Sequence, residues 1–137
     1  MIAYLEPLKL LIYDERAIPG TSSSGFGGFC ECGGVMTQKT WHQNGELKIL
    51  VSECENCWKI EALVFRGVDV IERENVKSFK RNELRDFLSV ILTSTELEAV
   101  MNRWNEIEYN YNAYSRAKKR LEEMGLDLEK LMSEIIF

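Results

Sequence analysis

Four cysteines in two tight pairs constrain this chain more than any other feature. They read Cys30-Glu31-Cys32, then twenty-one residues, then Cys54-Glu55-Asn56-Cys57. A tetrahedral metal site needs four thiolate or imidazole ligands. Two turns that each offer two cysteines supply them once a hairpin brings the turns together. The intervening residues contain such a hairpin: Val35, Thr37 and Trp41 suit one strand, residues 47–51 suit the next, and Asn44-Gly45 lies between them. Gly33-Gly34 follows the first pair, where a metal knuckle needs room and permissive backbone angles. The expectation is one structural zinc ion per chain on Cys30, Cys32, Cys54 and Cys57. Iron accepts the same ligands, and four buried or disulfide-linked cysteines are the metal-free alternative. Four thiolates close the coordination shell, so the site predicts structure and no chemistry.

With these pairs, the two glycines and the hairpin, residues 29–65 resemble a zinc ribbon, although the first pair has one intervening residue instead of two. Residues 58–65 read as a third strand closed by Gly67. The expected fold is α+β: a small four-cysteine zinc ribbon of about three antiparallel strands, then a C-terminal helical segment with one long helix. The expected divisions are 1–28 as N-terminal arm and Gly/Ser-rich linker, 29–67 as ribbon and 68–137 as helical domain. The resemblance implies functions as varied as transcription factors, polymerase subunits, ribosomal proteins, nucleic-acid enzymes and protein adaptors.

The C-terminal half has helical periodicity. Residues 82–92 place Leu84, Phe87, Leu88 and Ile91 on one face. Thr95-Glu96-Leu97-Glu98 reads as a capping box. It opens a helix of about thirty residues ending near Gly125. Leu97, Val100, Trp104, Ile107, Tyr111, Tyr114 and Leu121 form its seam. The seam must bury itself in a homodimer or against the final helix, residues 127–137, which presents Leu128, Leu131, Met132, Ile135 and Ile136. Residues 92–104 are similar to the opening helices of Trp-repressor-like DNA-binding domains, which implies a dimer with a helix-turn-helix.

Charge bears on partners. The net charge is −5, the acid excess is spread along the chain, and no basic domain exists to release counterions from phosphates. Two local basic groups are the candidate contacts to nucleic acid or a partner: Lys77, Lys80, Arg81 and Arg85, and Arg116, Lys118, Lys119 and Arg120. No apolar run is long enough for a transmembrane helix, and the N-terminus has no basic signal-peptide region. A reducing, cytoplasmic setting follows as the expectation, with thiols free for metal. His42 is the single histidine and reads as a strand-surface residue, leaving no Ser–His or Cys–His pair. Gly20 and Gly25 have phosphate-loop spacing without the required lysine and read as linker. The expected function is a non-enzymatic zinc protein, an accessory or regulatory factor in nucleic-acid metabolism such as transcription. The alternative is a protein–protein adaptor or dimeric scaffold without nucleic-acid contact.

Overall fold

The computed structural model describes residues 2–136, and the backbone alone for Ile135 and Ile136. The described chain forms β1 (Ile2–Leu5), β2 (Leu10–Tyr13), β3 (Arg16–Ser22), β4 (Phe26–Phe29), β5 (Val35–Asn44), β6 (Leu47–Cys54), β7 (Ile60–Arg66) and β8 (Asp69–Phe79). Helices α1 (Leu84–Ile91), α2 (Ser94–Trp104), α3 (Tyr111–Glu123) and α4 (Leu128–Ile136) follow. Strands neighbour one another in the order β3-β2-β1-β8-β7-β6-β5, and β3 also pairs with β5, which closes the ring. The result is a closed barrel of seven strands. β4 lies beyond β3 along the same edge of β5.

This architecture replaces the expected zinc ribbon. Residues 29–65 do hold β5, β6 and most of β7, but these strands are one part of a larger wall. The rest comes from the stretch expected to be an arm and linker, which forms β1 to β3, and from the start of the expected helical domain, where residues 69–79 are strand β8. β1 runs parallel to β8, from Ile2↔Val76 to Leu5↔Phe79. The Gly/Ser stretch is strand-like as well: Gly20 pairs with His42 and Ser22 with Thr40, and the Ser23 N–H donates to Lys39 O at 2.9 Å. Pro19 sits where β3 leaves β2 and joins β5, so its missing N–H breaks no ladder bond between those partners. The β2–β3 turn is Asp14-Glu15, both at positive φ (50° and 59°), which few side chains tolerate and which the sequence does not advertise. In the β5–β6 hairpin Asn44 pairs with Leu47, so the loop is Gly45-Glu46, one residue later than expected.

Strand alternation then sorts side chains between two cores. Ile2, Tyr4, Leu11, Ile18, Ile49, Val51, Ala62, Val64 and Val76 fill the barrel. Ala3, Leu5, Ile12 and Phe79 face the other way and join the helices in a second core. β1 and β2 are therefore a shared wall, which is why all four residues of β1 are buried.

The helices also differ from expectation. The thirty-residue helix is two, α2 and α3, separated by residues 105–110. Glu106 lies at φ +59°, and Asn110 starts α3 afresh by accepting from the Ala113 N–H at 3.1 Å. The seam consequently has no continuous face. Leu97, Val100, Tyr114 and Leu121 are buried within the chain, while Ile107 and Tyr111 are exposed. The stripe that pointed to a homodimer is thus largely covered by neighbouring helices. The capping box is Thr93–Glu96, two residues before the expected one: Glu96 N–H donates to Thr93 Oγ1 at 3.2 Å and Thr93 N–H to Glu96 Oε1 at 2.9 Å. Four short helices on a barrel are not a Trp-repressor-like fold. In α1, Leu84, Phe87 and Leu88 are buried, and in α4 so are Leu128, Leu131 and Met132. The side chains of Ile135 and Ile136, and Phe137 altogether, lie outside the described residues.

Candidate metal centre

Two chain reversals at one end of the β5–β6 pair carry the cysteines. The first joins β4 to β5: Gly33 N–H donates to Cys30 O, and Cys30 N–H to Gly34 O, both at 2.9 Å. Gly33 takes φ +88°, which glycine adopts without a steric penalty. The second follows β6: Trp58 N–H donates to Cys54 O at 3.0 Å and Cys54 N–H to Lys59 O at 2.9 Å. Glu55 N–H donates to Val35 O at 2.9 Å and ties the two reversals together.

All four Sγ atoms lie within 4.8 Å of one another. The closest approaches cross between the reversals: Cys30 to Cys57 at 3.6 Å and Cys32 to Cys54 at 3.5 Å. A tetrahedral ion with metal–sulfur bonds of ~2.3 Å spaces its sulfurs ~3.8 Å apart, so this cluster has the dimensions of a metal site. Cys30 and Cys54 are buried, and Cys32 and Cys57 face solvent. Cys54 Sγ accepts from the Asn56 and Cys57 N–H groups, each at 3.4 Å. Cys32 Sγ accepts from Asn56 Nδ2 at 3.5 Å and from Gly34 N–H at 3.4 Å. Donors aimed at sulfur stabilise thiolate. The Asn56 side chain, then the Gly34 N–H and the neighbouring thiol of Cys54, hold the Cys32 pKa down to about 6. For Cys57 the Lys59 backbone favours the thiolate, but desolvation and the three other sulfurs outweigh it and push the pKa up to about 12. A divalent cation among the sulfurs would favour thiolate at Cys57 as well.

Charged side chains brace the cluster. Glu61, 5% exposed at its side chain, pairs with Arg73 at 2.7 Å and Lys59 at 3.4 Å. Arg73 also donates to Phe29 O at 2.7 Å, linking β8 to the residue before Cys30. Sequence reasoning missed Asn56, Glu61 and Arg73 as supports. Asn56 lies inside the second cysteine pair and was readable; Glu61 and Arg73 meet only through the β7–β8 pairing.

The two basic groups are not assembled into one patch by contacts among the described residues. Lys77 on β8 lies over the Phe79 ring, 5.5 Å from its centre. Lys80 N–H donates to Glu83 at the barrel–helix junction, and Arg81 donates to Glu134 O at 3.0 Å. Arg85 is exposed on α1. On α3, Lys118 pairs with Glu129 at 3.7 Å and Arg120 with Glu96 at 3.3 Å, while Arg116 and Lys119 are exposed. His42 corrects the surface reading: it is buried, with Nδ1 2.9 Å from Ile18 O and Nε2 2.8 Å from Thr40 Oγ1. Both contacts are satisfied by one neutral tautomer, Nδ1–H donating and Nε2 accepting. No helix among the described residues is long and apolar enough to cross a membrane.

Comparison with known proteins agrees with this division of the chain. Residues 1–78 match the AF0631-like N-terminal beta-barrel domain, and residues 81–134 the AF0631-like C-terminal four-helix domain. A protein of Archaeoglobus fulgidus, described as uncharacterized, is 37% identical over 137 residues, covering 98% of this chain and 99% of the relative. No solved structure matches. A closed barrel carrying four helices, matched domain by domain and by a full-length relative, establishes that the chain belongs to the AF0631-like family.

Proposed function

We propose that this protein is a non-enzymatic adaptor whose four-cysteine centre holds one structural zinc ion per chain. The carrying observation is the convergence of four thiols, from two reversals joined by backbone hydrogen bonds, at the spacing of a tetrahedral sulfur shell. Four thiolates fill that shell and leave no position for a reacting water, so the ion braces the barrel end and supplies no chemistry. A reducing, cytoplasmic setting suits a site that needs all four thiols reduced. The adaptor role is favoured by the net charge of −5 and by the internal pairing of Lys118 and Arg120. A second reading, direct nucleic-acid contact in a transcription-type role, draws on the exposed Arg85, Arg116 and Lys119.

Elemental analysis of the protein purified without added metal tests the centre. The expected result is one zinc per chain, lost in Cys54→Ser and Cys57→Ser. Stoichiometric iron with thiolate-to-iron absorption would replace zinc, and four freely titrating thiols without metal would overturn the centre. Fluorescence anisotropy with double-stranded DNA, single-stranded DNA and RNA separates the two roles. An adaptor gives no binding at low salt, whereas salt-sensitive micromolar binding lost in Arg116→Glu with Lys119→Glu establishes the second reading.

A further inference from the structure

Three large aromatic residues close in sequence to the cysteines face solvent. Phe26 is 58% exposed, Phe29 66% and Trp58 69%. Phe29 precedes Cys30 and Trp58 follows Cys57, whose sulfurs are 3.6 Å apart, so the two residues flank the same pair of cysteines. Phe26 meets Phe29 edge to face with ring centres 5.2 Å apart. Trp58 also sits at φ +65°, in the left-handed region that a bulky residue seldom occupies. That backbone angle closes the second reversal, in which the Trp58 N–H donates to Cys54 O at 3.0 Å, but the turn does not need so much exposed indole. Exposed aromatics are the usual anchors of interfaces.

The charge around the rings selects the occupant. A zinc ion with four thiolates carries a net charge of about −2. Glu31, 85% exposed at its side chain, lies between the first two cysteines, and Glu55 is exposed between the second two. Of the nearby cations, Arg73 is held on Glu61, and Lys59 bridges Glu61 at 3.4 Å and Glu31 at 3.8 Å, which leaves Glu55 without a basic partner among the described residues. Phosphates would meet repulsion here, whereas a guanidinium stacks on aromatic faces and pairs with carboxylates. Resting on the zinc-adaptor reading, we propose that Phe26, Phe29 and Trp58, rimmed by Glu31 and Glu55, form the docking surface for an arginine-bearing segment of a protein partner.

The test uses the full-length protein and a fluorescein-labelled twelve-residue peptide of alternating arginine and glycine. A glutamate–glycine peptide and a twelve-nucleotide thymidine strand serve as comparisons, and zinc content and melting temperature are measured on every sample. The arginine peptide is expected to bind at least tenfold more tightly than either comparison. Phe29→Ala with Trp58→Ala, and separately Glu31→Lys with Glu55→Lys, should each weaken it at least tenfold with zinc content and melting temperature retained. Preference for the thymidine strand, no binding of the arginine peptide, or unchanged affinity in both zinc-loaded double variants overturns the proposal. Absence of zinc from the unaltered protein is the separate failure of the metal reading.

Discussion

Gly34 has no space for a side chain. A Cβ there would lie 2.7 Å from both Cys54 Sγ and Asn56 Cβ, so an added methyl must push the two reversals apart. Gly34→Ala should lower zinc affinity at least tenfold in competition with a chromogenic chelator, while the secondary structure by circular dichroism stays unchanged. His42 is the other informative residue. A Cβ on Gly20 would run into its imidazole, so the two positions close the β3–β5 seam together. Burial lowers the His42 pKa below its ordinary 6.5, against the weaker opposing pull of the Ile18 and Pro19 backbone. The unfolded chain therefore binds the proton first: the stability that His42 contributes is complete above pH 6.5 and declines as pH falls below it. Urea unfolding of the wild type and His42→Gln should show a stability difference that shrinks between pH 7.5 and pH 5.5; a difference constant over that range would contradict the assignment. Cysteine spacing pointed to the thiol cluster, but a single histidine in a polar strand gave no sign of burial, because its partner Ile18 lies 24 residues upstream.

Among the elements, α2 best shows local chemistry meeting tertiary contact. Glu96 completes the capping box on Thr93 and also receives Arg120 from α3, with Nε–Oε1 at 3.3 Å. Desolvation raises the Glu96 pKa, but the Thr93 backbone and hydroxyl and the Arg120 guanidinium together outweigh it and leave the value below the ordinary 4.5. That stabilisation is present above pH 4.5 and is lost as pH falls through the depressed value. Glu96→Gln should thus be less stable than wild type at pH 7, with the gap closing on acidification below pH 4.5. Thr93→Ala should cost about 1 kcal/mol in denaturant unfolding, the usual loss for such a cap. The expected single long helix failed at residues 105–110 because an apolar seam records which positions are buried and not whether the backbone between them turns. The neighbouring α2 and α3 bury much of the same seam within one chain.

At the scale of the molecule, the cysteine cluster is attached to a barrel that has its own core. Cys30, Met36 and Cys54 form a small buried group separate from the nine apolar side chains inside the barrel. Metal loss should therefore loosen one end without unfolding the whole. In Cys57→Ser, hydrogen exchange is expected to rise at least tenfold over residues 26–35 and 54–59 while residues 47–52 and 60–64 stay protected. Global exchange in that variant would mean instead that the barrel depends on the ion. The single β1–β8 parallel pairing explains why the N-terminal strands are part of this body: they form the wall between the barrel core and the helices.

The sequence by itself determined the candidate ligands, the turn glycines beside them, the strands between residues 35 and 66 and the helical periodicity beyond residue 82, because each depends on residues close together along the chain. Tertiary structure decided that β1 to β3 complete a barrel, that the Gly/Ser stretch is paired, and that Glu61 meets Arg73. It also decided that His42 is interior. These outcomes arise from pairing between distant segments. Strand alternation reveals that a face is buried, but the same alternation is compatible with many partners, and only closure of the ring selects among them.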